Sequence, residues 1–495
     1  MDEWSKLEQA IGEMTAAGNV EVHEDGEWLA ELAGLHCEVQ RQGKQMLVHL
    51  WSESRNLVRR VTGVSRLDPG RIVMEVQRFG RSKPGRLEFV SRQGPRPEAR
   101  ISRQQFLARF GRMLAEQFPD AQVDSLTSSA DLEHSFSGLY TRGVMKEAAA
   151  DWAIAGVSAG EDATAIDGIL TSGLLWLDWN RQRAVKRPVA GLRLFVPDGS
   201  SRILLHRLRG ISKAARTEVY EYSEQTRHIG KVDTSDTGNL ESWLIPRREA
   251  EQAPAAAGEA IKKVRSLGGA GAQNIAVGVA PGTNEVLFRY LGLEFARWQN
   301  GLLFSAPDGS PRPIASTGWN EVKRAIETME KFRTSLRADS SHPYYRSAPE
   351  RWLEAIILRD PTRLDAHLDA LHVYSQVPAF SAADRGVLDL LGTTRDGRLV
   401  VIELKASEDL HLPMQAVDYW LRVRRHHKEG DFQKCGFFSG IALDERPPLL
   451  WLVSPGLRFH PSTDIILKYL SPEIQVTRIG LNETWRQQLQ VIFRM

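Results

Sequence analysis

The sequence predicts a multidomain α/β protein, and three observations carry that expectation. The 495 residues are 42% hydrophobic and 25% charged, the composition of an ordinary globular chain. At about 100–200 residues per domain they are too many for one core. Residues 346–495 alternate helix-type and strand-type segments in the order α-β-β-β-α-β-α-β, which suggests a mixed sheet with helices on its faces. No stretch of about 18 consecutive apolar residues occurs, so no membrane-spanning helix is expected. The start MDEWSKLEQA lacks a charged-then-apolar leader pattern. Cys37 and Cys435 lie far apart in sequence and support neither a disulfide framework nor a zinc site. A cytoplasmic protein is the default expectation. The 64 Lys and Arg nearly cancel the 62 Asp and Glu, so local clusters, not net charge, must identify a polyanion partner.

Taken in order, residues 1–135 read as a mixed α+β domain. Short apolar runs such as Met46–Trp51 and Arg71–Val76 are separated by Gly, Pro and Asp turns. Phe106, Phe110, Leu114 and Phe118 recur at helical spacing until Pro119 stops them. Residues 136–246 read as a second mixed α+β domain, with strand-like LRLFV (192–196) and RILLH (202–206) around a Pro-Asp-Gly turn. The Ala-, Gly-, Glu- and Lys-rich stretch 247–273 reads as a linker around a short exposed helix. Residues 274–345 read as a β-rich region with a helix near 318–336, packed on the preceding domain. No repeat of about 20–50 residues is evident. Residues 346–495 read as a domain of their own, able to fold alone. Its elements are a Pro-started helix at 349–360, a strand at 373–380, two apolar runs within 385–406, a helix at 411–427, a strand at 449–455, a helix at 461–470 and a strand at 474–480.

The two apolar runs hold the anomaly. They flank Asp396-Gly397, a strong hairpin signal. Strand alternation puts Glu403 and Lys405 on one face and Ile402 and Leu404 on the other. Asp389, in the preceding run, then lies across the ladder from the Glu403 region. Burying unpaired charge costs several kcal/mol per ion, so a compensating ion is the simplest account. Two carboxylates and a backbone carbonyl, that of Leu404, make an oxygen-rich site suited to Mg²⁺ or Mn²⁺. Such an ion polarises a phosphodiester and lowers the pKa of bound water, and Lys405 supplies positive charge beside it. A Glu-x-Lys triplet alone says little: Glu321-Val322-Lys323 is a decoy in a helical context, with no acid on a neighbouring strand. In the following helix Gln415 and Tyr419 share a face at i and i+4. Glu354, on the helix before the strands, is an accessory acid that could complete a water shell.

These residues resemble the PD-(D/E)XK nuclease superfamily, in its RecB-like and NucS-like branches. The matching elements are Glu354, Gly386-Val387-Leu388-Asp389, Glu403-Leu404-Lys405 and Gln415-x3-Tyr419, within residues 346–495. The resemblance implies a restriction-endonuclease-like αβββαβ core, a bound Mg²⁺ or Mn²⁺ and cleavage of nucleic acid, with DNA the first expectation. It implies Asp389, Glu403 and the Leu404 carbonyl as metal ligands, and Lys405 as the catalytic lysine. Glu354 and Gln415 complete the catalytic set. Leu388 stands where the name-giving pattern has proline.

For substrate contact the sequence offers Tyr419, Arg422, Arg424 and Arg425, followed by His426, His427 and Lys428, although cations there also suit a helix C-terminus. Arg78, Arg81, Lys83 and Arg86 form a second basic stretch, which could grip phosphates or be a solvated loop. Trp176, Trp179, Trp298 and Tyr290 could stack on bases or fill a core. No phosphate-binding Gly-x4-Gly-Lys-Ser/Thr loop, His-Glu-x-x-His or Gly-x-Ser-x-Gly motif occurs. Residues 1–345 are then left for substrate recognition, homo-oligomerisation or regulation. The alternative reading is a catalytically inactive nuclease-like protein that binds nucleic acid or regulates. Intact Asp389, Glu403 and Lys405 favour the enzyme.

Overall fold

In the computed structural model the chain divides into two compact units, each assembled from two separated stretches. Met1–Pro97 joins Glu249–Ile356, and Glu98–Arg248 joins Ile357–Met495. The structure describes residues 3–495 except 18–19, 25–26, 32–35, 43–44, 52–55, 69, 78–84, 92–96, 132–133, 162, 185–186, 236–241, 245, 281–283, 300–301, 306–311, 314–318, 335–341, 376, 378 and 382–388.

In the first unit, seven strands lying between Val20 and Ser91 form an antiparallel sheet. Leu7, Ile11 and Met14 project at helical spacing from the helix Glu3–Ala17 into a core with Val22, Val48, Met74 and Phe89. Five further strands between Ile275 and Pro313 form a second antiparallel sheet. The stretch expected to be a linker is largely helical, as Arg247–Ala256 and Gly258–Leu267. The expected boundary near 337–349 is pinned where it is described. Arg333, fully buried, donates to the carbonyls of Leu291, Tyr344, Ser347 and Ala348 at 2.6–3.1 Å. Its guanidinium stacks over Trp352.

The second unit contains two six-stranded mixed sheets. The first comprises α1 (Pro97–Gln117), β1 (Gln122–Thr127), β2 (Tyr140–Lys146), β3 (Asp151–Val157), α2 (Ile169–Arg183), β4 (Val189–Pro197), α3 (Arg202–Leu208), β5 (Thr217–Ser223) and β6 (His228–Lys231). Phe106, Phe110 and Leu114 are buried along α1, and Phe118 follows the helix to stack edge-on against Phe195 and Tyr220. The helix α4 (Pro349–Arg359) runs across the boundary between the units. The second sheet comprises β7 (Leu368–Ser375), β8 (Leu390–Thr394), β9 (Leu399–Leu404), α5 (Leu412–Lys428), β10 (Leu449–Pro455), α6 (Thr463–Lys468), β11 (Gln475–Leu481) and β12 (Val491–Arg494). Among the strands of this sheet and the longer helices the expected α-β-β-β-α-β-α-β order is present, extended by the edge strand β12, but the strand expected at 373–380 ends at Ser375, and Ala379–Ser381 pairs instead with Ser242–Leu244.

Both sheets turn a helix-covered face into one core. Ala153, Ala155, Leu192 and Leu194 from the first meet Val401, Leu450 and Leu452 from the second, with Leu174, Leu177, Val417, Trp420 and Ile466 of the helices between them. Trp176 belongs to this core, its Nε1 donating to the Gly143 carbonyl at 2.7 Å, and Tyr290 is buried in the first unit. Neither presents a ring for stacking on a base. Residues 346–495 therefore do not own their core. A fragment starting near residue 345 would expose the apolar faces of α5 and α6. We expect it to be insoluble or rapidly degraded in limited proteolysis, and a cooperative thermal transition of the isolated fragment would contradict the shared core.

Candidate metal and phosphodiester site

β9 is buried at all six positions, Leu399 to Leu404, because it lies centrally in its sheet, between β8 and β10. Its hairpin with β8 closes through Thr394–Arg398. Gly397 adopts φ +84°, and a Cβ there would lie 2.2 Å from the Ala442 carbonyl oxygen, so the turn requires glycine. The hairpin pairs Leu390 with Ile402 and so places Asp389 opposite Glu403. The Leu404 N–H donates to Asp389 Oδ2 at 3.0 Å. Gly386, Val387 and Leu388 lie outside the described residues.

Four of the residues singled out in the sequence meet at this strand end. Glu403 is buried and Asp389 half-buried. Burial acts against the charge of Lys405, but Glu403, Asp409 and Asp389 outweigh it and hold the ammonium above the ordinary lysine range. Burial, reinforced by the same Glu403 and Asp389, pushes the Tyr419 hydroxyl far up. Gln415, half-buried, occupies the same face of α5 one turn earlier. Pro413 in the first turn of that helix suits a position where an N–H has no helical acceptor.

The other residues sit differently. Glu354 is buried in the first unit's portion of α4, where it pairs with Arg351 at 2.8 Å. Arg422 is buried, Arg424 reaches the Glu445 carbonyl at 3.4 Å, and Arg425 pairs with Glu429 at 3.0 Å. Arg78, Arg81 and Lys83 lie outside the described residues, and Arg86 pairs with Glu88 at 2.8 Å. The decoy Lys323 is exposed and lies 3.8 Å from Glu327.

Sequence reasoning missed Asp409. Its buried carboxylate accepts from the His411 N–H at 2.7 Å and pairs with Lys405 at 3.2 Å. The signal was an acid four residues after the lysine, in a stretch without helical period. His411 and His460 lie around the same loop. Burial holds both rings below the ordinary histidine range, with Arg207, His460 and Lys405 reinforcing it at His411 against Asp409. His411 Nδ1 is 3.4 Å from Thr171 Oγ1, so α2 borders this rim.

Two carboxylates at one buried strand end form a hard oxygen donor set with no sulfur, which fits Mg²⁺ or Mn²⁺. The Leu404 amide is committed to Asp389; its carbonyl has a metal role only through the family resemblance. A second group able to hold an ion, His426, Glu429 and Asp431, occurs among the described residues. Each of the three is already in an ion pair, with Asp431, Arg425 and Lys434 as partners.

No known family's sequence profile matches the chain, and no curated protein matches it either.

Replacing Asp409 with alanine leaves the His411 amide without its acceptor and removes a pairing charge from Lys405. We expect Asp409→Ala to cost about 1–3 kcal/mol in urea denaturation. An unchanged midpoint would contradict this arrangement.

Proposed function

We propose that the second unit is a divalent-metal-dependent nuclease hydrolysing phosphodiester bonds of nucleic acid, DNA being the first substrate to test. The observation that supports this best is the hairpin register that sets Asp389 opposite Glu403, with Asp389 Oδ2 accepting from the Leu404 N–H at 3.0 Å and Lys405 pairing with Asp409 at 3.2 Å. Two acids and an amine therefore share one strand end, and the same two acids reinforce burial in raising the Tyr419 hydroxyl. The β-β-β-α-β order around them matches what the resemblance to PD-(D/E)XK nucleases implies for a restriction-endonuclease-like core.

In this reading Asp389 and Glu403 hold Mg²⁺ or Mn²⁺. The bound ion supplies Lewis-acid polarisation of the phosphoryl group and a more acidic water. Lys405 stays charged beside its three acids and places a cation where negative charge develops on the phosphoryl oxygens. Asp409 fixes the lysine's direction. Gln415 and Tyr419 border the acids from α5, the tyrosine as a neutral hydrogen-bond donor. Arg422, Arg424 and Arg425 follow along the same helix. The first unit and residues 98–248 of the second are left for recognition or regulation.

Asp389→Ala and Lys405→Ala should each abolish Mg²⁺- or Mn²⁺-dependent cleavage while the far-ultraviolet circular dichroism spectrum stays that of wild type. The assay should include single-stranded, double-stranded, branched and RNA substrates, with and without the cation. Lys323→Ala should cut like wild type. Activity retained in Asp389→Ala would overturn the proposal, and loss in Lys323→Ala would mean that the wrong triplet was chosen.

A further inference from the structure

The two sheets of the second unit have the same construction. Counting the strands of each sheet and the helices α2, α3, α5 and α6, the chain order in each is β-β-β-α-β-α-β-β; the short segments Ala163–Asp167, Ala379–Ser381 and Asp431–Lys434 are insertions in one copy or the other. The first three strands pair antiparallel, the third pairs parallel with the fourth, the fourth parallel with the fifth, and the sixth antiparallel with the fifth. Twelve strands sharing one pattern of direction and connection is not an outcome that burial alone dictates.

The strands β4 and β10 fix the correspondence. Residues 192–197 read LRLFVP and residues 450–455 read LWLVSP, each strand ending on its proline. Leu194 then corresponds to Leu452. Their neighbours in β3 and β9 are Ala155 and Glu403. One strand further, Arg142 faces Ala155, in the place where Asp389 faces Glu403. Two residues beyond Ala155, Val157 takes the place of Lys405. The correspondence keeps faces as well as positions, because Ala153, Leu192 and Leu194 enter the common core as Val401, Leu450 and Leu452 do.

All three charged positions of the candidate site are therefore altered in the first sheet. Arg142 is also not available to a substrate. It is buried, lies over the Phe136 ring, and donates to the carbonyls of Ser129 and Ser137. A guanidinium in place of a metal-binding acid repels a dication.

The contacts between the sheets are reciprocal. α2 packs on α6, and α5 packs on α3, which are equivalent pairs read in opposite directions. The residues after α3 and α6 meet in an antiparallel bridge, Ile211 with Leu470. It is flanked by Ser212 N–H to the Tyr469 carbonyl and Ser471 N–H to the Gly210 carbonyl, both 2.8 Å. Reciprocity of this kind is the mark of an isologous dimer interface, here within one chain.

We infer that residues 122–231 are a second, silent copy of the fold that carries the candidate site, and that this copy acts as a built-in dimer partner positioning α5. The positioning residue is Arg207 of α3. Its guanidinium holds Asp418 of α5 at 2.8 Å, and the other oxygen of that buried carboxylate has no hydrogen-bond partner among the described residues. Asp418 adjoins Tyr419 and lies three residues from Gln415. A Cβ on Gly210 would come within 2.3 Å of Val417, so the silent copy touches α5 at closest approach beside the same residues. The positioning role, but not the duplication, rests on the nuclease reading.

The test uses the full chain with Arg207→Ala and Arg207→Lys. Cleavage of a nucleic-acid substrate and amide hydrogen exchange are measured on the same preparations. We expect Arg207→Ala to lower kcat by about tenfold or more at little-changed KM. Exchange should quicken in residues 412–420 but not in β9, and Arg207→Lys should recover most of both. Wild-type kcat and wild-type exchange in Arg207→Ala would overturn the positioning role. If Arg207→Ala fails to fold, Arg207→Lys decides: α5 exchanging as in wild type with most of kcat supports the role, and a loss of kcat with α5 still protected contradicts it. Metal-dependent cleavage that survives Asp389→Ala but is lost on changing the first copy would show that copy is not silent. A wild-type protein that cuts no substrate would sink the nuclease reading, while exchange in α5 would still report whether Arg207 holds it.

Discussion

Two carboxylates and an ammonium at the end of an otherwise apolar, fully buried strand are the costly feature around which this unit is organised. A central strand gives them little water, so their charges must answer one another. Lys405 meets three acids, and Asp409 ties that lysine to the start of α5. What the cluster retains is an excess of carboxylate over amine, the condition under which a small dication binds rather than merely visits. The first sheet carries a different answer at the equivalent places, alanine and valine for Glu403 and Lys405 and a buried arginine for Asp389.

That contrast gives the architecture its sense. A strand end can tolerate such charges only if the helix facing them is held firmly. α5 does not sit on an open face. It is enclosed between its own sheet and the helices of a second sheet, with an arginine-to-aspartate bridge and a glycine contact fixing its axial position. The helix layer between the sheets is thus both the core of the unit and the mounting of the site. Buried ion pairs contribute little net stability when exchanged for apolar groups; their value at Arg207 and Asp418 is directional.

Much of the local structure could be read from the residues. Asp396-Gly397 announced the hairpin, and its register placed Asp389 opposite Glu403. The strand at 449–455 and the helix near 411–427 coincide with β10 and α5 to within a residue, because their apolar runs end at proline and at a basic last turn. The pairing of distant stretches was not legible. Hydrophobic period reports which face is buried and not what buries it, so 98–248 and 357–495 looked independent. The duplication is not legible in the sequence for a related reason. It conserves faces, strand directions and a terminal proline, while the charged residues that made one copy conspicuous are absent from the other. Asp409 was hidden because a loop acid has no periodicity to betray its partner.

The proposed site requires Asp389 and Glu403 to bind one hard dication together. Titration of the metal-free protein with Mn²⁺, followed by calorimetry or electron paramagnetic resonance, tests it without requiring a substrate. We expect a bound ion in the wild-type protein that is lost in both Asp389→Asn and Glu403→Gln and kept in the His426→Ala protein. Binding that survives both carboxamide substitutions, or disappears only with His426, would contradict it.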